Sequence, residues 1–230
     1  HKAGKIFEEN VASALCAECK GHDATVTDVA VSRYKQKPPH PFDLGSLQSE
    51  AFRLFGLSPK STLEVAQALY VDGYTSYPRT SSQKLPKELD LRGILSKVGK
   101  NPAYASLALA LMGSGRPLVP HEGPKSDPAH PAIYPTGVVP KHLTERQAKV
   151  YDLIVKRFFA TFAPDAVKES AKVTFEVNGE PFLAQGAFTV EAGWHTFYAP
   201  YYKQQEAPLP ALETGERLRV KSLDKLAKET

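Results

Sequence analysis

The sequence predicts an α+β fold in which a helical domain interrupts a discontinuous, β-rich one. Three observations carry this: strand-like patterning near the N-terminus, apolar residues at a period of 3.6 through the middle, and strand-and-turn patterning in the last third. The chain has 230 residues, of which 42% are hydrophobic and 23% charged. That is a globular composition, long enough for one large domain or two modest ones with real cores.

Apolar spacing over residues 5–20 reads as a helix. Residues 25–35 then alternate small or apolar with polar side chains, as a half-buried strand does. Lys37-Pro38-Pro39-His40-Pro41 is a stiff, non-helical connector and a natural place for a hinge, as is the segment 138–141. Beyond it Leu44, Leu47, Ala51, Phe52, Leu54 and Phe55 mark a helix that Gly56 closes. Ser58-Pro59 opens a second helix through Leu63, Ala66, Leu69 and Tyr70, ending near Gly73. Residues 74–85 carry little helical pattern. Two further helices are expected at 87–98 and 103–112, the latter behind the helix-starting Asn101-Pro102. Residues 113–140 are rich in Gly, Pro and His and read as a long ordered loop, a class that is often functional.

The clearest helix follows. Thr144 with Gln147 forms a capping box, and Val150, Tyr151, Ile154, Val155, Phe158 and Phe159 form a broad apolar stripe. Strands at 171–177 and 181–184 flank Asn178-Gly179, a favoured hairpin turn. Further strands are expected at 186–191 and 216–222.

The formal net charge is +4 with a pI near 8.9. That excess permits binding to a polyanion without requiring it. Cys16 and Cys19 form a lone C-x-x-C. With His22 they offer three zinc ligands where a structural site needs four, and on one helical face they read as ordinary thiols. No apolar run approaches the ~20 residues of a membrane span, and the first residues lack the apolar stretch of a signal peptide. The chain begins without Met and ends on Lys-Glu-Thr, and so reads as a piece of something longer.

Two constellations carry chemistry. Gly73-Tyr74-Thr75-Ser76-Tyr77-Pro78-Arg79-Thr80-Ser81-Ser82 combines two phenols, a guanidinium and several hydroxyls. A phenol is a competent nucleophile toward phosphorus once its proton is managed. Arg79, two residues away, can hold a phosphate oxygen and stabilise charge that builds up during transfer. Thr80, Ser81 and Ser82 add donors of the kind that fix phosphates. The same residues also describe a polar loop after a helix, with Tyr77 packed at a core edge. The second constellation is Asp127-Pro128-Ala129-His130-Pro131-Ala132-Ile133-Tyr134-Pro135-Thr136-Gly137. Its prolines stiffen the loop that presents His130, and a histidine can meet a phosphate or move protons near neutral pH. Alone, it also fits a surface-loop histidine.

Residues 41–82 resemble the active-site region of type IA DNA topoisomerases. The likeness lies in Phe42-Asp-Leu-Gly-Ser-Leu-Gln-Ser-Glu-Ala, in Thr62-Leu-Glu-Val-Ala-Gln-Ala-Leu-Tyr, and in the Gly-x-x-x-Tyr-x-Arg-Thr signature that follows. The His-x-Ala-Ile-x-Pro-Thr stretch from His130 to Thr136, Arg146-Gln-Ala-Lys-Val-Tyr-Asp-Leu-Ile, and Gly193-Trp194 extend it over nearly the whole chain. The Thr-Ser-Ser variant, with Ser81 where many bacterial members have an acid, looks like the archaeal branch.

The resemblance implies that Tyr77 is the catalytic tyrosine forming a 5′-phosphotyrosine, aided by Arg79. It implies DNA contacts from Arg79, Thr80, Ser82, His130 and Thr136. It also implies a helical, CAP-like tyrosine domain at 41–138 inserted in a β-rich arch at 1–40 and 139–230. The partners would be DNA, chiefly single-stranded, and the missing toprim and groove domains of the same protein. The location would be cytoplasmic and nucleoid-associated. The family's Mg²⁺ site is an Asp-x-Asp-x-Asp run in the toprim domain, with a glutamate and a lysine beside it. No Asp-x-Asp occurs here, so Mg²⁺ belongs to the full enzyme, no metal ligands are assigned, and this piece alone is expected to be inactive. Two other readings remain open at this point. One is a non-catalytic single-stranded-DNA-binding module using Arg79, Lys84, Lys87 and His130; the other is an interaction scaffold with no nucleic-acid role.

Overall fold

A computed structural model describes residues 1–2, 4–203 and 206–226. The fold is α+β, and the chain forms two compact units, His1–Tyr34 with Val167–Val190 and Gln205–Thr230, and Lys35–Ala166 with Glu191–Gln204.

The first unit is built on a sheet in the order β3-β2-β1-β4, with β1 at Ala24–Gln36, β2 at Ala166–Val177, β3 at Glu180–Glu191 and β4 at Arg217–Leu218. The β2–β3 turn is the expected Asn-Gly pair, with Asn178 at φ +50° and Gly179 at φ +83°. Both central residues at positive φ is the twist-matched hairpin geometry. The Asn178 side-chain amide donates to the Glu18 carbonyl at 3.0 Å, tying the hairpin to α1, Glu9–Cys19. Cys19 is buried and its thiol donates to the Val177 carbonyl at 3.4 Å, while Cys16 is half-buried. Cys19 therefore serves to pack α1 on the sheet.

Three expectations for this unit differ from the structure. The strands expected at 181–184 and 186–191 are one strand, because Gly186 marks a close backbone approach and not a break. A Cβ there would stand 2.3 Å from the Ala207 carbonyl oxygen. The last strand is only two residues long. Its antiparallel register pairs Ala24 with Leu218, so continuing the ladder to Val220 would call on His22, in the turn after α1 where Gly21 has φ +81°. In β1, burial is confined to Ala24 and Val26, and residues 30–35 are exposed on both faces.

The second unit has six helices among the described residues: α2 Leu44–Phe55, α3 Pro59–Val71, α4 Leu91–Val98, α5 Pro102–Gly113, α6 Glu145–Ala160 and α7 Trp194–Tyr198. Their starts obey local chemistry. Asp43, Ser58, Asp90, Asn101 and Thr144 each accept a backbone N–H of the first turn, and Thr144–Gln147 closes the expected capping box. Helix α6 is the hub, packing on α2, α3, α5 and α7. It buries Val150, Leu153, Ile154, Val155, Phe158 and Phe159. Arg157 lays its guanidinium over the Phe42 ring at 4.4 Å and donates to the His40 carbonyl at 2.7 Å.

By contacts the compact units divide at 34/35, 166/167, 190/191 and 204/205, and the stripe of α6 is buried among the other helices of the second unit. Residues 38–41 and 138–141, expected as hinges, lie inside the helical unit. The His40 ring there stacks on His121 at 4.6 Å. Helix α7 was not expected. It follows Gly193 at φ +50°, where a Cβ would meet the Asp165 carbonyl oxygen at 2.4 Å. Among the described residues no helix is long and apolar enough to cross a membrane.

Candidate active site

The signature loop leaves α3 through a helix-ending motif. Gly73 adopts φ +75°, its N–H donates to Tyr70 O at 2.9 Å, and the Tyr74 N–H donates to Leu69 O at 2.9 Å. This pairing satisfies the terminal carbonyls and turns the chain out of the helix.

From there the loop is held by a segment far away in sequence. The Ser76 N–H donates to Tyr134 O at 2.9 Å and the Thr136 N–H to Tyr74 O at 3.1 Å, with a bridge between Thr75 and Pro135. The Ser76 hydroxyl donates to Ala132 O at 3.1 Å and accepts the Tyr134 N–H at 3.0 Å. On its other edge the same segment meets Phe42, the Ile133 N–H donating to Phe42 O at 2.8 Å, and the Ala132 N–H donates to Lys84 O at 2.8 Å. Residues 132–136 are therefore the middle ply between Tyr74–Ser76 and Phe42. Prolines 131 and 135 have no N–H to leave unpaired.

The frame brings the rings of Tyr77 and His130 together, with Arg79 two residues further along the same loop. The half-buried Tyr77 ring stands between Tyr70, edge-on at 5.2 Å, and His130, tilted at 4.8 Å. Among the described residues nothing hydrogen-bonds the Tyr77 hydroxyl, and Arg79 is exposed and in no ion pair. The phenol and the guanidinium are thus uncommitted. Burial pushes the Tyr134 phenol up from the ordinary tyrosine value and the Tyr151 phenol up to about 12, so both stay protonated at neutral pH.

Thr80, Ser82 and Thr136 are placed differently from what a phosphate-binding role would suggest. Thr80 and Ser82 are buried, at 5% and 2% exposure. The Thr80 hydroxyl donates to His130 O at 3.0 Å and accepts the Ser82 N–H at 3.0 Å. The Ser82 hydroxyl accepts the Lys84 N–H at 3.1 Å. The Thr136 hydroxyl donates to Gly73 O at 2.6 Å and accepts the Val138 N–H at 3.2 Å. The Thr80 and Thr136 hydroxyls join the two loops to each other, and the Ser82 hydroxyl closes a turn within the signature loop.

Two contributors escaped the sequence reading. Tyr70 falls within the apolar pattern of α3, yet it is 41% exposed and flanks Tyr77. Asp43 accepts from the Ser46 N–H at 2.7 Å and pairs with Lys125 at 2.9 Å, anchoring the long loop to the start of α2. A capping Asp before Leu44 was visible; its partner 82 residues later was not. Among the described residues no three His, Cys, Asp or Glu side chains cluster to hold a metal, so these residues provide no ligand set for Mg²⁺.

Comparison with known proteins identifies the family. The DNA topoisomerase family model matches residues 1–230. DNA topoisomerase 1 of Methanothermobacter thermautotrophicus is 47% identical over 229 residues, covering 100% of this chain and 31% of the relative. DNA topoisomerase 1 of Pyrococcus horikoshii is 45% identical, covering 100% and 34%. Both are archaeal. The structure of full-length topoisomerase I from Thermotoga maritima shares the fold, with a TM-score of 0.65 at 23% identity, over 93% of this chain and 35% of that one. The chain belongs to the type IA DNA topoisomerase family. It spans about a third of the length of the curated relatives it matches.

Proposed function

We propose that this chain supplies the tyrosine nucleophile with which a longer type IA topoisomerase opens one DNA strand. The Tyr77 hydroxyl oxygen attacks the scissile phosphorus, the bond from phosphorus to the 3′ oxygen breaks, and that oxygen leaves as a hydroxyl. The 5′ phosphate remains on Tyr77 as a diester. Return of the 3′ hydroxyl reverses the step, so bond energy is conserved in the ester and resealing needs no ATP. Arg79 neutralises the phosphate as charge builds up, and His130 contacts a neighbouring phosphate. Thr80, Ser82 and Thr136 act from within, keeping these groups in register. The observation that carries the reading is the Tyr77 ring set between Tyr70 and His130, its hydroxyl unbonded, two residues from an unpaired arginine.

Among the described residues no cluster of acids and metal ligands stands ready for leaving-group protonation. Mg²⁺, the toprim and groove domains, strand passage and a nucleoid-associated location belong to the longer protein. The test is a suicide-substrate assay with this chain placed in a protein of the relatives' full length, with Mg²⁺ and single-stranded DNA labelled on the 3′ side of the break. A covalent adduct is expected that Tyr77→Phe abolishes; an adduct persisting in Tyr77→Phe would sink the assignment. The chain by itself is expected to bind single strands weakly and salt-sensitively and to relax no DNA.

A further inference from the structure

We infer that Asp127 is a positioning residue of this site, its carboxylate clamping the turn that presents His130 to Tyr77. The clamp rests on geometry alone; only its consequence for DNA rests on the proposed function. The Asp127 Oδ1 accepts the Ala129 N–H at 2.9 Å and the His130 N–H at 3.1 Å. The same oxygen stands 4.0 Å from His130 Nδ1. Pro128, between donor and acceptor, restricts the turn and has no N–H to compete.

The far side of His130 is held too, its carbonyl accepting the Thr80 hydroxyl at 3.0 Å. His130 is thus fixed through its N–H by Asp127 and through its carbonyl by the signature loop, and its ring lies 4.8 Å from that of Tyr77. The backbone N–H groups of Ala129 and then His130, with a smaller contribution from Ser81, hold the Asp127 carboxyl below the ordinary range. Removing the carboxylate frees the turn on one side while leaving the Thr80 bond in place. A tilted ring contact depends steeply on backbone position, so it should report the change.

The test is nuclear magnetic resonance of the 230-residue chain. The His130 ring protons carry a ring-current shift from Tyr77, defined as the part that disappears in Tyr77→Leu. Asp127→Asn keeps an oxygen acceptor in place and should retain the shift. Asp127→Ala should lose most of it, and Asp127→Glu, which moves the carboxylate along by one methylene, should lose part. A shift unchanged in Asp127→Ala, or lost in Asp127→Asn, overturns the inference. If Asp127→Ala does not fold, the Asn and Glu pair decides, and equal shifts in those two overturn it. In the full-length setting, Asp127→Ala should slow adduct formation at saturating DNA by about 10- to 100-fold, as misplacement of a positioned group does. In a His130→Ala background it should cause no further loss; additive losses would mean that Asp127 acts elsewhere. The resonance arm involves no DNA, so failure of the cleavage reading and failure of the clamp give different results.

Discussion

The helical unit and the sheet unit handle their apolar residues in opposite ways. In the helical unit one continuous core runs from Phe42 through α6 to Tyr201, and nearly every large side chain of α6 that can face inward is buried. In the sheet unit the buried cluster is Cys19, Ala24 and Val177, with Phe175, Phe182, Leu218, Val220 and Leu223 partly covered around it. Half of β1 is exposed on both faces. Tyr77 and Arg79, the groups proposed to react, sit on the better-packed unit, on loops cross-tied by backbone hydrogen bonds. A nucleophile that must meet phosphorus within a fraction of an ångström needs that rigidity. A thinly packed sheet is suited to bending, because local opening there costs little.

The comparison can be broken by stability measurements. Phe159→Ala empties a fully buried position in the helical core and should cost about 3 to 5 kcal/mol in denaturant unfolding, the largest loss expected. Asp43→Ala removes the α2 cap and the Lys125 pair and should cost about 2 kcal/mol. This effect depends on pH. Burial alone would raise the Asp43 carboxyl, but the Ser46 hydroxyl and N–H and the Lys125 ammonium outweigh it and hold it below the ordinary Asp value. Its contribution is therefore present above the ordinary Asp range and fades as pH falls through that range toward the depressed value. The gap between wild type and Asp43→Ala should narrow in acid; a gap that widened would contradict this. Val31→Ser, on the exposed part of β1, should change stability by no more than about 0.5 kcal/mol. A loss there rivalling Phe159→Ala would remove the contrast between the units.

Local features were legible in the sequence. The Thr144–Gln147 box, the α6 stripe, the Asn178-Gly179 turn and the glycine ending α2 each depend on residues a few positions apart. What decided the site was not local. Ser76 meets Ala132 and Tyr134, and Thr80 meets His130, across separations of 50 to 58 residues. A hydroxyl offered to a phosphate and one committed to a distant carbonyl look alike in a sequence. Thr80 and Thr136 therefore read in the sequence as ligand donors, while in the fold their hydroxyls bond carbonyls of the facing loop. Tyr77, Arg79 and His130 stand out in the sequence because their chemistry is unusual in loops of that kind, and the fold sets the Tyr77 and His130 rings in contact. The limits of the units were hidden for a related reason: a stripe such as that of α6 states that it will be buried but not against which neighbours.

The middle ply also has a mechanical meaning. A DNA strand hanging from Tyr77 under tension would pull on a short peptide segment that would otherwise be free to extend. Here the load passes within one residue into the bonds from Ser76 to Tyr134 and Ala132. From there it crosses to Phe42, whose ring is weighted by Arg157 of the central helix. The tether is thereby a lap joint loaded in shear, with several hydrogen bonds sharing the force. On the proposed function, a strand end held there would be carried without peeling the tyrosine from its seat.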